Sequence, residues 1–267
     1  MSVILTIDQG NTFTKLKVFR DSRELYSSRH ENIDYSLLED LLKTHGVSCA
    51  AYCSTSHIDV RLIESLRNIL QQSAAETVNY GKEVLVLSSN TPLPIDISAY
   101  RTPHTLGVDR IAAMCGAAKL FPTENLLVAD AGTAITIDVL RGGKHFMGGN
   151  ITAGVAMRLQ ALHEYTAALP PVTTEGETPE FGVNTETALR SGALHGVADE
   201  ILAAYTRAVR YYGCDFRVLL AGGDAAMIYK SPTNIEAFNS LSSTTIELIP
   251  DLVSIGLISI LEYNEYI

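Results

Sequence analysis

Residues 3–19 read VILTIDQGNTFTKLKVF, and residues 126–140 read LLVADAGTAITIDVL. In each, an apolar run ends in Asp-x-Gly with small polar residues after it, and an alternating run follows. Residues 3–7 predict a strand. Residues 13–19 predict a second, with Phe13, Lys15, Lys17 and Phe19 alternating against Thr14, Leu16 and Val18. Leu126 to Thr133 repeats the strand and turn, and Ala134 to Leu140 repeats the return strand with Ile135, Ile137 and Val139 on one face. Asp8 and Asp130 lie 122 positions apart, and Thr14 and Thr136 share that offset. A repeat at half the chain length predicts an internal duplication of one α/β unit. Either hairpin alone reads first as an ordinary turn, for which Asp, Asn and Gly are the expected residues, and the presence of two related ones turns the reading toward a phosphate clamp.

Working outward from the repeat, residues 23–29 add a third strand. Residues 34–44 form an amphipathic helix on Leu37, Leu38, Leu41 and Leu42, and Ala50 to Cys53 a buried strand. Residues 59–72 are helical, and Glu83 to Leu87 is a further strand. After the second hairpin, Gly142-Gly143 turns the chain and residues 144–147 return as a strand. Helices follow near 154–163 and 185–212, then a strand from Arg217 to Leu220 and a last helix over 252–263. Residues 170–183 are the clearest long loop. The pattern predicts mixed α/β lobes, divided as 1–118 and 119–267.

The chain has 267 residues, 46% hydrophobic and 19% charged, enough for a large core. Its net charge of -10 argues against a broad phosphate-tracking surface, so neither nucleic acid nor an anionic membrane is an expected partner. Val3-Ile4-Leu5 is too short for a signal-peptide core. The longest apolar stretch, Leu252 to Leu261, is about half a membrane span. Cys49, Cys53, Cys115 and Cys214 have neither Cys-x-x-Cys nor zinc spacing, so reduced thiols in a cytoplasmic protein are expected.

Several segments carry candidate chemistry. In the Asp-x-Gly hairpins, glycine permits positive φ and close approach to a ligand, and turn N–H groups make an anion nest. Asn11, Thr12, Thr14 and Thr133 add neutral donors, and Lys15 adds a point charge for phosphate. Asp8 repels phosphate, so bridging Mg²⁺ is its natural role. Gly107-Val108-Asp109-Arg110 opens a helix. An acid there is stabilised by unpaired N–H groups, which alone explains it; the functional reading makes Asp109 a general base and Arg110 an anion ligand. Tyr100-Arg101-Thr102-Pro103-His104 suits a pocket wall. Leu219 to Ala225, with Gly222-Gly223, is a tight strand-to-helix connection or a bed for a flat ring, and Gly148 to Gly154 permits close backbone approach. Asn184-Thr185 reads as a plain N-cap or as a hydroxyl facing substrate. The chain has neither a P-loop nor a dinucleotide fingerprint.

Duplicated hairpins of this kind resemble the superfamily of actin, sugar kinases and heat-shock ATPases. The ordered set is narrower. Asp8-Gln9-Gly10-Asn11-Thr12 with Lys15 comes first, then Tyr100 seven residues before Gly107-Val108-Asp109-Arg110. Asp130-Ala131-Gly132-Thr133-Ala134-Ile135-Thr136, Gly148-Gly149-Asn150-Ile151 and Asn184-Thr185 follow. In order and spacing, along nearly the whole chain, this resembles the type III pantothenate kinases.

The resemblance implies two ribonuclease H-like lobes and ATP-dependent phosphorylation of pantothenate, the first step of coenzyme A synthesis. It implies that Asp8, Gln9, Gly10, Asn11, Thr12, Phe13, Thr14 and Lys15 hold the ATP phosphates with Mg²⁺, and that Thr133 meets ATP. Tyr100, Gly107, Val108, Asp109, Arg110 and Thr185 would contact pantothenate, with Asp109 as base. Asp130 would hold a monovalent cation, K⁺ or NH₄⁺, in a homodimer with pantothenate near the interface. The chain departs from the family at Ala153, where proline is usual; alanine frees φ and loosens the loop. The alternative from the same resemblance is a nucleotide-binding regulatory partner linked to transcription; a chaperone-like or polyphosphate-cleaving ATPase is a third reading.

Overall fold

The computed structural model describes residues 2–21, 23–72, 84–239 and 245–266. The first five strands are β1 (Val3–Gln9), β2 (Thr14–Arg20), β3 (Arg23–His30), β4 (Cys49–Ser54) and β5 (Val84–Val86). They form one sheet in the order β3-β2-β1-β4-β5. The next five are β6 (Leu126–Ala131), β7 (Ala134–Arg141), β8 (His145–Ala153), β9 (Arg217–Ala221) and β10 (Ile246–Leu248). They form a second sheet in the order β10-β9-β6-β7-β8. Read from β8, the second order repeats the first, and so do the directions. Two antiparallel pairs (β1 with β2, β2 with β3) and two parallel pairs (β1 with β4, β4 with β5) recur as β6–β7, β7–β8, β6–β9 and β9–β10. The duplicated mixed-sheet α/β unit expected from the sequence is present.

Helices fill the same connections. In the first unit, α1 (Tyr35–His45) and α2 (Val60–Gln72) precede β4 and β5. Asp34 caps α1 by accepting from the Ser36 N–H, and Gly46 ends it in the left-handed conformation. Their leucines pack on Val3, Leu5, Ile7, Leu16, Val18, Ala50 and Tyr52, the odd face of β1. After β5, a 3-10 turn at Pro103–Thr105 leads into α3 (Val108–Leu120), which is buried from Arg110 to Ala118. In the second unit, α4 (Val155–Glu164) and α5 (Thr185–Tyr212) separate β8 from β9, and α6 (Ala225–Lys230) and α7 (Pro232–Asn239) separate β9 from β10. Asn184 and Thr187 close a reciprocal capping box on α5, and Gly213 stops it after 28 residues.

The last helix, α8 (Leu252–Tyr263), departs from an even division of the chain at residue 118. Residues 1–120 and 253–267 make one compact unit, and residues 121–252 make the other. Thr6 Oγ1 donates to Ser254 Oγ at 3.1 Å, and Lys119 pairs with Glu262 at 2.5 Å. Gly256 lies directly against the α3 backbone: a Cβ there would be 1.7 Å from the Ala112 carbonyl oxygen. Small residues along α3 permit this approach.

Three other expectations are corrected. The strand expected over 144–147 runs to Ala153, because Gly148 and Gly149 stay in the ladder opposite Val139 and Asp138. The second hairpin tip is one residue shorter than the first. The last ladder pairs are Gln9 with Thr14 and Ala131 with Ile135, so the structural counterpart of Thr14 is Ile135, and that of Lys15 is Thr136. Third, neither Gly10 nor Gly132 has positive φ. Of the strand expected from Glu83 to Leu87, Glu83 lies outside the described residues.

Candidate active site

Asp8 is the penultimate residue of β1, on its even face, and is 8% exposed. Across the antiparallel ladder it meets Lys15, whose Nζ is 3.4 Å from Asp8 Oδ2. Across the parallel ladder it meets Cys53, whose Sγ is 3.7 Å from Asp8 Oδ1. Burial pushes the Cys53 thiol well above its ordinary pKa, and the charges of Asp8 and Asp109 push it further. It therefore stays protonated and donates to the carboxylate. The Gly10 N–H donates to the Phe13 carbonyl at 2.9 Å, and the Gly132 N–H to the Ala134 carbonyl at 3.1 Å. Those two amides close the tips, so the expected anion nest falls to other groups. A side chain at Gly10 would crowd the Phe13 carbonyl, at 3.1 Å from its Cβ.

The Asp109 carboxyl belongs to the same unit. It sits in the first turn of α3 and accepts from the Arg110 backbone N–H at 2.8 Å. Burial raises its pKa, the nearby Asp8 charge raises it further, and Arg110 and its backbone N–H only partly offset this. A carboxylate so shifted is a stronger base than free aspartate. Gly107 makes room for it: a Cβ at 107 would stand 2.5 Å from Asp109 Oδ1. Arg110 is buried, with its guanidinium carbon 5.6 Å from the centroid of the Tyr100 ring. The structure thus brings Asp8, Lys15, Tyr100, Gly107, Asp109 and Arg110 into one unit, on elements meeting at one face of its sheet.

Gln9, next along β1, turns to the other face. Its Oε1 accepts from the hydroxyl of Tyr52, which is fully buried, at 2.5 Å. That hydroxyl in turn accepts from the Asp59 N–H at 3.1 Å, and Asp59 Oδ1 accepts from the Leu62 N–H at the start of α2. Tyr52 thereby ties the first hairpin to α2, and the Gln9 side chain is committed away from the Asp8 face. Neither Tyr52 nor Cys53 stands out by motif. The available signal is a tyrosine inside the apolar run Ala50-Ala51-Tyr52-Cys53, since a buried tyrosine hydroxyl requires a partner. Tyr52→Phe should destabilise the chain by about 1–3 kcal/mol, because it strands the Gln9 oxygen and the Asp59 N–H. Urea denaturation checks this, and an unchanged midpoint would contradict it.

In the second unit, Asp130 is partly buried and faces Thr136 across the ladder, where the first hairpin has Lys15. Gly222, at φ +88°, packs on it: a Cβ there would be 2.2 Å from the Ala131 carbonyl oxygen and 2.4 Å from Asp130 Oδ1. Thr133 is exposed at the tip, and Thr185 is exposed as the first residue of α5. Asn184 provides the N-cap, as the plain reading of that pair requires. All four cysteines are free thiols.

The sequence profile of the type III pantothenate kinase family matches residues 4–207. A type III pantothenate kinase of Azobacteroides pseudotrichonymphae is 38% identical over 74% of this chain and 76% of its own. One from Cytophaga hutchinsonii is 37% identical over 97% of this chain and 99% of its own. Among solved structures, a protein of Campylobacter jejuni described as a Baf-family transcriptional activator superposes with a TM-score of 0.58. It covers 98% of this chain and 100% of its own at 20% identity, a likeness of fold alone.

Proposed function

We propose that this chain, which belongs to the type III pantothenate kinase family, transfers the γ-phosphoryl group of ATP to the primary hydroxyl of pantothenate. The product is 4'-phosphopantothenate, and the reaction opens coenzyme A synthesis. The observation that carries the reading is Asp109: a carboxylate of raised basicity, at the start of a helix, in the same unit as the Asp8–Lys15 hairpin. The alcohol oxygen forms a bond to phosphorus as the bond to the ADP oxygen breaks, and the proton passes to Asp109. The transition state is loose, so orientation and charge neutralisation do most of the work. Asp109 orients the hydroxyl in line and receives its proton late.

In the first hairpin, residues 8–15 are the proposed phosphate site, with Lys15 as point charge and Gln9 acting through its backbone. Asp8 would hold Mg²⁺ together with the phosphates. Among the described residues no group of three or more His, Cys, Asp or Glu could hold a metal alone. Mg²⁺ is commonly held by one or two carboxylates with water and substrate phosphates, a role Asp8 can fill. Bound there, the ion neutralises phosphate charge. Thr133 is the proposed ATP contact of the second hairpin. Asp130 is the proposed ligand of K⁺ or NH₄⁺, supported by the carboxylate and Ala131 carbonyl oxygens that both approach Gly222.

Tyr100, Gly107, Val108, Arg110 and Thr185 are the proposed pantothenate contacts, Arg110 pairing bidentately with the substrate carboxylate. A homodimer is the proposed assembly. Membership of the type III pantothenate kinase family supports it. Among the described residues no helix is long and apolar enough to cross a membrane. A cytoplasmic location is proposed on the four free thiols. ADP release from ATP with and without pantothenate tests the activity. ADP formation that requires pantothenate is expected. Hydrolysis indifferent to pantothenate would point to an ATPase, and nucleotide binding without turnover to a regulatory partner.

A further inference from the structure

Strand β3 brings a second cation to the first hairpin. Arg29 stands directly opposite Lys15 across the β2–β3 ladder, and the pairing is regular from Thr14 to Val18. Both side chains therefore leave the sheet on one face, the face from which Lys15 reaches Asp8. Like charges directly opposite one another destabilise a sheet. This chain has only 20 basic residues against 30 acidic ones, so two of them at one ladder position oppose the general charge balance.

Lys15 has a carboxylate within reach. Arg29 lies over the Phe13 ring, with its guanidinium carbon 3.5 Å from the ring centroid. Phe13 belongs to the hairpin tip, so the stacking holds the guanidinium beside residues 10–13. Arg29 is itself exposed. A stacked guanidinium keeps its N–H donors in the plane of the fork, where they match two oxygens of one phosphate.

We propose that Arg29 binds the polyphosphate of ATP beside Lys15, with Phe13 as the platform that orients it. This rests on the reading of residues 8–15 as the ATP phosphate site. Lys15 divides its charge between Asp8 and the ligand, whereas Arg29 brings a planar pair of donors. An anion between the two cations also relieves their mutual repulsion, so hairpin and ligand stabilise one another.

The test is calorimetric titration of the full chain with Mg·ATP and, separately, with adenosine. Arg29→Met keeps an unbranched stem over Phe13 and removes the charge. The expected result is a Kd for Mg·ATP weaker by about 10- to 100-fold, as for loss of hydrogen bonds to a charged group. Adenosine binding should be unchanged, and Arg29→Lys should recover part of the Mg·ATP affinity. Wild-type affinity for Mg·ATP in Arg29→Met would overturn the proposal and leave Arg29 as packing for Phe13. So would an equal loss for Mg·ATP and adenosine, which marks general damage. Titration needs no turnover. A wild-type chain that bound Mg·ATP but made no pantothenate-dependent ADP would therefore count against the kinase activity alone, and the Arg29→Met comparison would still decide for or against Arg29.

Discussion

Asp109→Asn should lower kcat by about 10²- to 10⁴-fold, the usual contribution of a positioned general base, with little change in Mg·ATP affinity. The asparagine keeps the carbonyl oxygen that accepts from the Arg110 N–H and fits the space beside Gly107, so the loss reports proton acceptance rather than collapse of the turn. In the wild type the pH dependence has a fixed sign. Asp109 must be ionised to accept a proton, and its pKa is raised chiefly by burial. Turnover therefore falls with decreasing pH, starting above the range in which a free aspartate titrates. Stability runs the other way. The folded chain holds this proton more tightly than the unfolded chain, so folding is penalised as pH rises from the unfolded through the folded pKa. Asp109→Asn removes the penalty and should raise Tm at neutral pH, with the gain vanishing in acid, where the wild-type carboxyl is already neutral. Undiminished kcat would remove Asp109 from the base role. A lower Tm at neutral pH would contradict the electrostatic account even if activity were lost.

Gly256→Ala should be severely damaging for a single added methyl. Its Cβ would fall 1.7 Å from the Ala112 carbonyl oxygen, 2.5 Å from the Ala112 carbonyl carbon and 2.9 Å from the Gly116 nitrogen. All three are backbone atoms, so no side chain can swing aside and α3 and α8 must separate. Overpacking typically costs about 1–3 kcal/mol, occasionally more, and a contact between two backbones belongs at or above that limit. Asp109 rides on α3, and a displacement of about 1 Å in a reacting group costs on the order of 100-fold in rate. The variant should therefore lose both Tm and kcat. Gly192→Ala is the control with opposite sign. That glycine is exposed within α5, and its Cβ would meet nothing within 4 Å. There alanine should stabilise by about 0.5–1 kcal/mol through helix propensity alone. Equal Tm values for the two variants would refute the packing argument.

The sheets were legible because their signals are local. Short apolar runs mark β1 and β6, alternation at period two marks β2 and β7, and the Asp-x-Gly repeat announces the duplication that both strand orders carry. Helix α5 was readable along its whole length because Asn184 and Gly213 punctuate it. What escaped depends on partners distant in sequence. The strand expected over 144–147 stops short of Gly148 and Gly149, yet Gly149 continues β8, where the strand passes so close to Asp138 that a Cβ would sit 2.0 Å from its Oδ1. The one-residue slip between the hairpins shows only in the ladder register, which pairs Asp130 with Thr136. Arg29 and Tyr52 gain their meaning from neighbouring strands, Arg29 through Lys15 and Tyr52 through Gln9. Asp109 could be singled out by its place before a helix, but its raised basicity follows from burial and from Asp8, which the sequence does not place beside it.

The return of α8 to the first unit has a consequence for how the protein is made. A ribosome delivers residues 121–252 before Val253 appears, so the second unit has its whole chain while the first still lacks a helix. At about 5–20 residues per second, that delay is on the order of ten seconds. During it, Thr6 waits for Ser254 and the α3 backbone for Gly256. The unit bearing Asp8 and Asp109 is therefore completed only after all of residues 121–252 have been made. A nascent chain stalled between Thr185 and α8 would carry all the residues proposed for phosphoryl transfer and still lack the helix that packs on α3.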